Sequence, residues 1–157
     1  MKLFKFIFKV LLLPFTILGL ILSLFTPAAA TTKQRNPYDE NYFTNQLAGR
    51  KFQKEYEIKF LQGTTQKLPN RFRADLWTSE SVVEVDWEHK MYEGLGQALT
   101  YSYYSEGYKP GIVILDDINK NTNYHKFLDV FKHHGVKYWI VEVNRDTGEI
   151  RGITESE

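Results

Sequence analysis

The sequence predicts an α/β domain built on a mixed sheet, and three features lead to that expectation. Two strand-like segments lie almost end to end around Ser79-Glu80, each alternating in polarity. Gly111 to Leu115 is a short, unbroken apolar run typical of a buried strand. Helical periodicity follows the second hairpin strand and the next strand, so a leading hairpin gives way to strand-helix-strand units.

In chain order, residues 1–30 differ from the rest. Lys2, Lys5 and Lys9 precede an apolar run from Val10 to Phe25, and Thr26-Pro27-Ala28-Ala29-Ala30 follows. A basic start, an apolar middle and an Ala-x-Ala end describe a secretory signal cut between Ala30 and Thr31. The same stretch is long enough to remain as an uncleaved membrane anchor. Either way the lysines stay inside, and the remainder is expected to be exported, periplasmic or secreted, touching the membrane only through this segment. Residues 31–39 are polar, contain Pro37 and read as a linker to a domain spanning 40–157.

Asp39 caps an expected short helix whose Tyr42, Phe43, Gln46 and Leu47 recur at three and four. Glu55 to Leu61 reads as a strand, and Gly63, Pro69 and Asn70 supply a turn. Arg71 to Trp77 alternates, with Phe72, Ala74 and Leu76 opposed to Arg71, Arg73 and Asp75. Ser81 to Asp86 is the next strand, placing Val82, Glu84 and Asp86 on one face. Trp87 to Glu106 is helical, interrupted by Gly94 and Gly96. Each glycine costs about 1 kcal/mol relative to Ala, which close packing against another backbone would offset. Gly111 to Leu115 is a buried strand, Asn121 to His134 a helix stopped by Gly135, and Val136 to Val143 a further strand. Asp146-Thr147-Gly148 then turns the chain into Glu149 to Ile153.

The 157 residues include ten Tyr, eleven Phe and no Cys, so one aromatic-rich core is feasible and disulfides are excluded. The full chain is formally +1; without Lys2, Lys5 and Lys9 it has 17 basic against 19 acidic residues, about −2. That charge does not favour avid nucleic-acid binding through phosphates. Lys67, Arg71, Arg73, Lys90 and Lys109 are candidates for a local patch, and a solvated mixed-charge face explains them as readily.

The chemically loaded spot is the hairpin. With Ser79-Glu80 as a two-residue loop, opposed positions sum to 159, so Asp75 faces Glu84 and Arg73 faces Asp86. Opposed side chains have Cβ atoms roughly 5 Å apart. Two acids so close repel unless a cation or proton sits between them. Lys90, Gln97 and Tyr101 share one face of the following helix with Glu93. Arg73 opposite Asp86 also reads as a simple cross-strand ion pair, and Lys90 as a solvated helix residue. Tyr101, Tyr103 and Tyr104 read as core and surface aromatics ahead of a base-stacking platform. Other chemistries lack their residues: there is no Cys nucleophile, no Gly-x-Ser-x-Gly elbow and no His-Glu-x-x-His motif. His133-His134 fits a helix C-terminus, His89 stays open, and Gly94-x-Gly96 lies outside a phosphate-loop context.

Asp75, then Glu84-Val85-Asp86, then a helix with Lys90, Gln97 and Tyr101 resembles the PD-(D/E)xK nuclease superfamily over roughly Arg71 to Asp117. Arg73-Ala74-Asp75-Leu76-Trp77-Thr78, Glu84-Val85-Asp86-Trp87 and Gly96-Gln97-Ala98-Leu99 are similar to an exported bacterial subgroup. The resemblance implies a restriction-endonuclease-like mixed central sheet flanked by helices, nucleic acid as substrate, and Mg2+ (or Mn2+) held by Asp75, Glu84 and the Val85 carbonyl. It also implies a lysine assisting the attacking water. Two positions depart from the pattern: Ala74 stands where Pro is frequent, and Asp86 replaces the motif's Lys, leaving Lys90 as a relocated lysine and Gln97 to orient water or phosphate. Two functions follow as expectations. One is a metal-dependent nuclease acting outside the cytoplasm, and the other is a non-catalytic exported binding domain that keeps the fold.

Overall fold

Six strands form one mixed sheet in sequential order, and helices cover both of its faces. The computed structural model describes residues 36–63, 68 and 72–157. The segment 1–30, the linker residues 31–35, Lys67, Arg71 and the Pro69-Asn70 turn lie outside the described residues. Residues 36–39 are tied to the domain: the Asn36 amide donates to the Arg145 carbonyl (3.0 Å), and the Tyr38 ring meets Tyr42 edge-on.

Helix α1 (Glu40–Leu47) starts where expected, because the Asp39 carboxylate accepts from the Tyr42 N–H (3.1 Å). Helix α2 (Arg50–Tyr56) takes Glu55 and Tyr56 from the span read as a strand from Glu55 to Leu61, and residues 57–60 are in no regular element. Lys, Gln and Glu favour the helix, and Phe52 stacks on Tyr56 one turn away at 4.8 Å. Glu57 ends it in the left-handed region (φ 60°). Only β1 (Leu61–Gln62) pairs in the sheet here.

The expected strand from Arg71 to Trp77 is likewise shorter. Only β2 (Leu76–Trp77) enters the ladder, antiparallel to β3 (Ser81–Trp87). Its register is the expected one, with Leu76 opposite Val83 and Trp77 opposite Val82. A short 3-10 turn (Glu88–Lys90) leads into α3 (Met91–Tyr104), which returns the chain to β4 (Lys109–Asp117), parallel to β3. Another 3-10 turn (His125–Phe127) and α4 (Leu128–His133) precede β5 (Lys137–Asn144), parallel to β4. The helix expected from Asn121 starts late, at Leu128 after the 3-10 turn. Gly148 (φ 74°) turns the chain into the antiparallel edge strand β6 (Glu149–Glu155).

Every residue of β3 is buried, as is usual for a strand covered on both faces. Val83, Val85 and Trp87 meet Phe43, Leu47 and Phe52 of α1 and α2. The opposite side of the sheet packs Ile112 and Ile114 against Met91 of α3 and Phe131 of α4. Full burial of one such side chain contributes about 1.5–3 kcal/mol. Glu84 and Asp86 alternate with the valines and therefore share the α3 side, beside Ile112 and Ile114 in the parallel register. That placement positions the site.

Candidate functional site

Four carboxyl groups from three parts of the chain act on one another around β3: Glu40 at the start of α1, Asp75 just before β2, and Glu84 and Asp86 on β3. Glu84 is 7% exposed and Asp86 4%. A strand surface filled by α3 would leave no space for Asp86 if residue 94 had a side chain. A Cβ on Gly94 would lie 2.8 Å from Ile112 Cδ1 and 3.2 Å from Asp86 Cβ.

Asp75 reaches the same place through the hairpin. Extended by one pair, the register of β2 and β3 sets it against Glu84. The ladder stops short of that pair, and the Asp75 carboxylate substitutes for it by accepting from the Val85 N–H at 3.0 Å. Behind it, the Gly63 N–H donates to the Asp75 carbonyl at 2.9 Å. A Cβ on Gly63 would sit 1.9 Å from the Ala74 carbonyl oxygen, so only glycine fits this crossing. In a strand the N–H and C=O of one residue leave on the same side, so the Val85 carbonyl is turned toward the Asp75 edge as well.

Burial is the first cause that shifts each of these carboxyls upward. It pushes Glu84 up to about 9, with the charges of Asp75, then Asp86 and Glu40 adding to the effect and the Tyr101 hydroxyl opposing it. Burial also raises Glu40 to about 7, helped by the neighbouring Asp86, with which it shares a hydrogen bond. Asp75 rises through burial too, offset by its bond from Val85. Asp86 rises through burial, offset by its bonds to Glu40 and the Trp87 N–H and by Lys90.

Lys90, half exposed after β3, places its ammonium 3.8 Å from both Asp86 Oδ1 and Glu40 Oε2. The expected ion pair between Arg73 and Asp86 is not formed among the described residues. Arg73 lies outside the short β2 and is exposed, and Lys90 is the cation beside Asp86. Gln97 accepts from the Tyr101 hydroxyl at 3.2 Å, and its amide faces Glu93 at 3.5 Å. Tyr101 is thereby placed between Gln97 and Glu84. Lys109 is remote from Lys90, since it pairs with Ser81 at the opposite end of β3, about 20 Å away at the rise of a strand. His89 belongs to a separate arrangement in which it and Lys120 flank buried Glu88.

Glu40 is the member that the sequence did not reveal. Its helical first-turn position explains it locally, and its approach to Asp86 depends on how α1 packs against the sheet.

Comparison with protein-family models, curated proteins and solved structures finds no match.

The donors present are hard oxygens: the Asp75 and Glu84 carboxylates and the Val85 carbonyl, with Glu40 and Asp86 nearby. Among the described residues, no three His, Asp or Glu side chains already stand at metal-ligand spacing. Two carboxylates and a carbonyl are nevertheless enough for a magnesium-type ion, which keeps several waters. Glu84 Oε2 is buried without a hydrogen-bond partner, so this oxygen is left to a proton or to a cation.

Proposed function

We propose that the chain is a divalent-cation-dependent nuclease, or a related phosphodiesterase, acting outside the cytoplasm on a restriction-endonuclease-like scaffold. The single observation that carries this reading is the gathering of Asp75, Glu84 and Asp86 around one strand, with Glu84 raised to about 9 and one of its oxygens unpartnered. The chain retains this costly cluster although apolar side chains would fill the same space without repulsion. The resemblance of Asp75 and Glu84-Val85-Asp86 to the nuclease motif gives the cluster a use, and the basic and apolar start of the chain supports export.

Asp75 and Glu84 would hold Mg2+ or Mn2+ together with the Val85 carbonyl. Such an ion, when bound, neutralises charge gathering on a phosphate and lowers the pKa of an attacking water. The protein's own groups supply the rest. Lys90 stands where a cationic side chain can approach a phosphate, in place of the lysine that Asp86 replaces. Glu40, raised to about 7 by burial and by its hydrogen-bonded neighbour Asp86, would suit a general base. Gln97 and Tyr101, hydrogen-bonded to each other beside Glu84, would orient water or phosphate.

The test is incubation of the full chain with DNA or RNA in magnesium or manganese. The expected result is cleavage that falls by about a hundredfold or more in Glu84→Gln and in Asp75→Asn. Activity unchanged in both variants would remove these residues from the mechanism.

A second reading is a non-catalytic binding domain. It is favoured by one observation: Lys90 already provides a cation to Asp86 and Glu40. It predicts no turnover and no calorimetric heat on titrating magnesium.

A further inference from the structure

We propose that the surface leading out of the carboxylate cluster is a stacking platform for unpaired nucleotide bases, made by Phe72, Tyr104 and Tyr103. This rests on the nuclease reading for the identity of the ligand and narrows the substrate to single-stranded nucleic acid.

The platform begins inside the site. Tyr101 donates to Gln97, lies beside Glu84, and is 7% exposed. Its ring centroid is 6.1 Å from that of Phe72, which lies 6.1 Å from Tyr104, which in turn lies 5.1 Å from Tyr103. The inner ring is buried and the outer one open to solvent: Phe72 is 40% exposed, Tyr104 is partly buried, and Tyr103 at the outer end is 83% exposed. A lone surface aromatic requires no explanation. Four rings in sequence, running from the buried acid cluster to solvent, form a continuous aromatic track whose inner end is the site.

Charge decides what such a track can hold. From residue 31 onward the chain has 17 basic and 19 acidic residues, so phosphate neutralisation cannot supply most of the affinity. Stacking can, because every base has a flat π face and each base-ring contact contributes independently of sequence. A duplex keeps those faces inside its own stack, so the rings discriminate in favour of unpaired strands. Binding should therefore weaken only slightly as salt rises, unlike that of a protein held by many phosphate contacts.

The test uses the full chain carrying Glu84→Gln, so that the strand is not consumed, in magnesium. Fluorescence anisotropy is read with a labelled single-stranded oligonucleotide of mixed sequence and with its duplex. The expected result is binding of the single strand about tenfold or more tighter than the duplex. Tyr103→Ala should weaken it by about tenfold, Tyr103→Phe should leave it unchanged, and Phe72→Leu, which keeps apolar bulk, should also weaken it by about tenfold. Equal binding of the two nucleic acids, or single-strand binding unaffected by Tyr103→Ala and Phe72→Leu, overturns the platform. So does a ring-dependent dimer in sedimentation with no strand binding, which would make the face a contact between copies of the chain. If the chain with native Glu84 still cleaves nucleic acid in those cases, the nuclease reading survives alone. Ring-dependent strand binding without any cleavage would instead keep the platform and remove the catalytic reading.

Discussion

Glu84 is the residue on which the proposed chemistry would turn, and its protonation has a measurable consequence. Its pKa stands at about 9 in the folded chain against an ordinary 4.5. Between those values the folded state keeps a proton that the unfolded state has released, so the native protein binds more protons and stability falls as pH rises. The contribution is full below the unfolded value and is lost as pH passes through about 9. Glu40, raised to about 7, acts with the same sign over a lower window. Thermal melting in cation-free solution should therefore show a Tm that declines between the ordinary carboxyl range and about 9. Glu84→Gln, equal in shape and uncharged, should flatten that decline and raise Tm at its upper end. A cation competes with these protons, so magnesium binding should tighten with pH by up to about tenfold per unit for each proton displaced. A pH-independent affinity would show that these carboxyls are not the ligands.

At the scale of elements, helix α3 contains two glycines with opposite roles. Gly94 makes space for Asp86 and Ile112, whereas a Cβ on Gly96 would meet nothing within 4 Å. Denaturant midpoints should show Gly96→Ala stabilising by about 0.5–1 kcal/mol, and Gly94→Ala destabilising through the Ile112 contact. Close packing was expected at both positions and occurs only at Gly94, against side chains. The hairpin register was legible because Ser79-Glu80 separates two segments whose apolar faces must coincide. The capped helix after Asp39 was legible for a similar local reason, with a carboxylate ahead of an apolar period. The lengths of β1 and β2 were not. Alternation from Arg71 to Trp77 satisfies a strand pattern, yet only Leu76 and Trp77 find a partner, because Asp75 uses its side chain to cap Val85. Glu55 to Leu61 shows the same limit, since helix propensity and the stacking of Phe52 on Tyr56 outweighed its apolar spacing.

At the scale of the molecule, the mixed sheet separates two cores, and the acids occupy the α3 side at a point where both the hairpin and α1 come close. Local pattern placed Asp75, Glu84 and Asp86 together. The arrival of Glu40 from α1, and the track of rings from Tyr101 to Tyr103, depend on tertiary packing that no window of sequence contains. The overall charge is slightly acidic beyond the basic start, so under the proposed function affinity for an anionic chain would come from a cation and from stacking. The central claim is that one doubly charged ion sits among these acids. Anomalous diffraction from crystals soaked in manganese tests it most directly. The predicted result is a peak between the Asp75 and Glu84 carboxylates, with oxygens at about 2.0–2.2 Å. An absence of density there, with Glu84 still buried beside Tyr101, would contradict it.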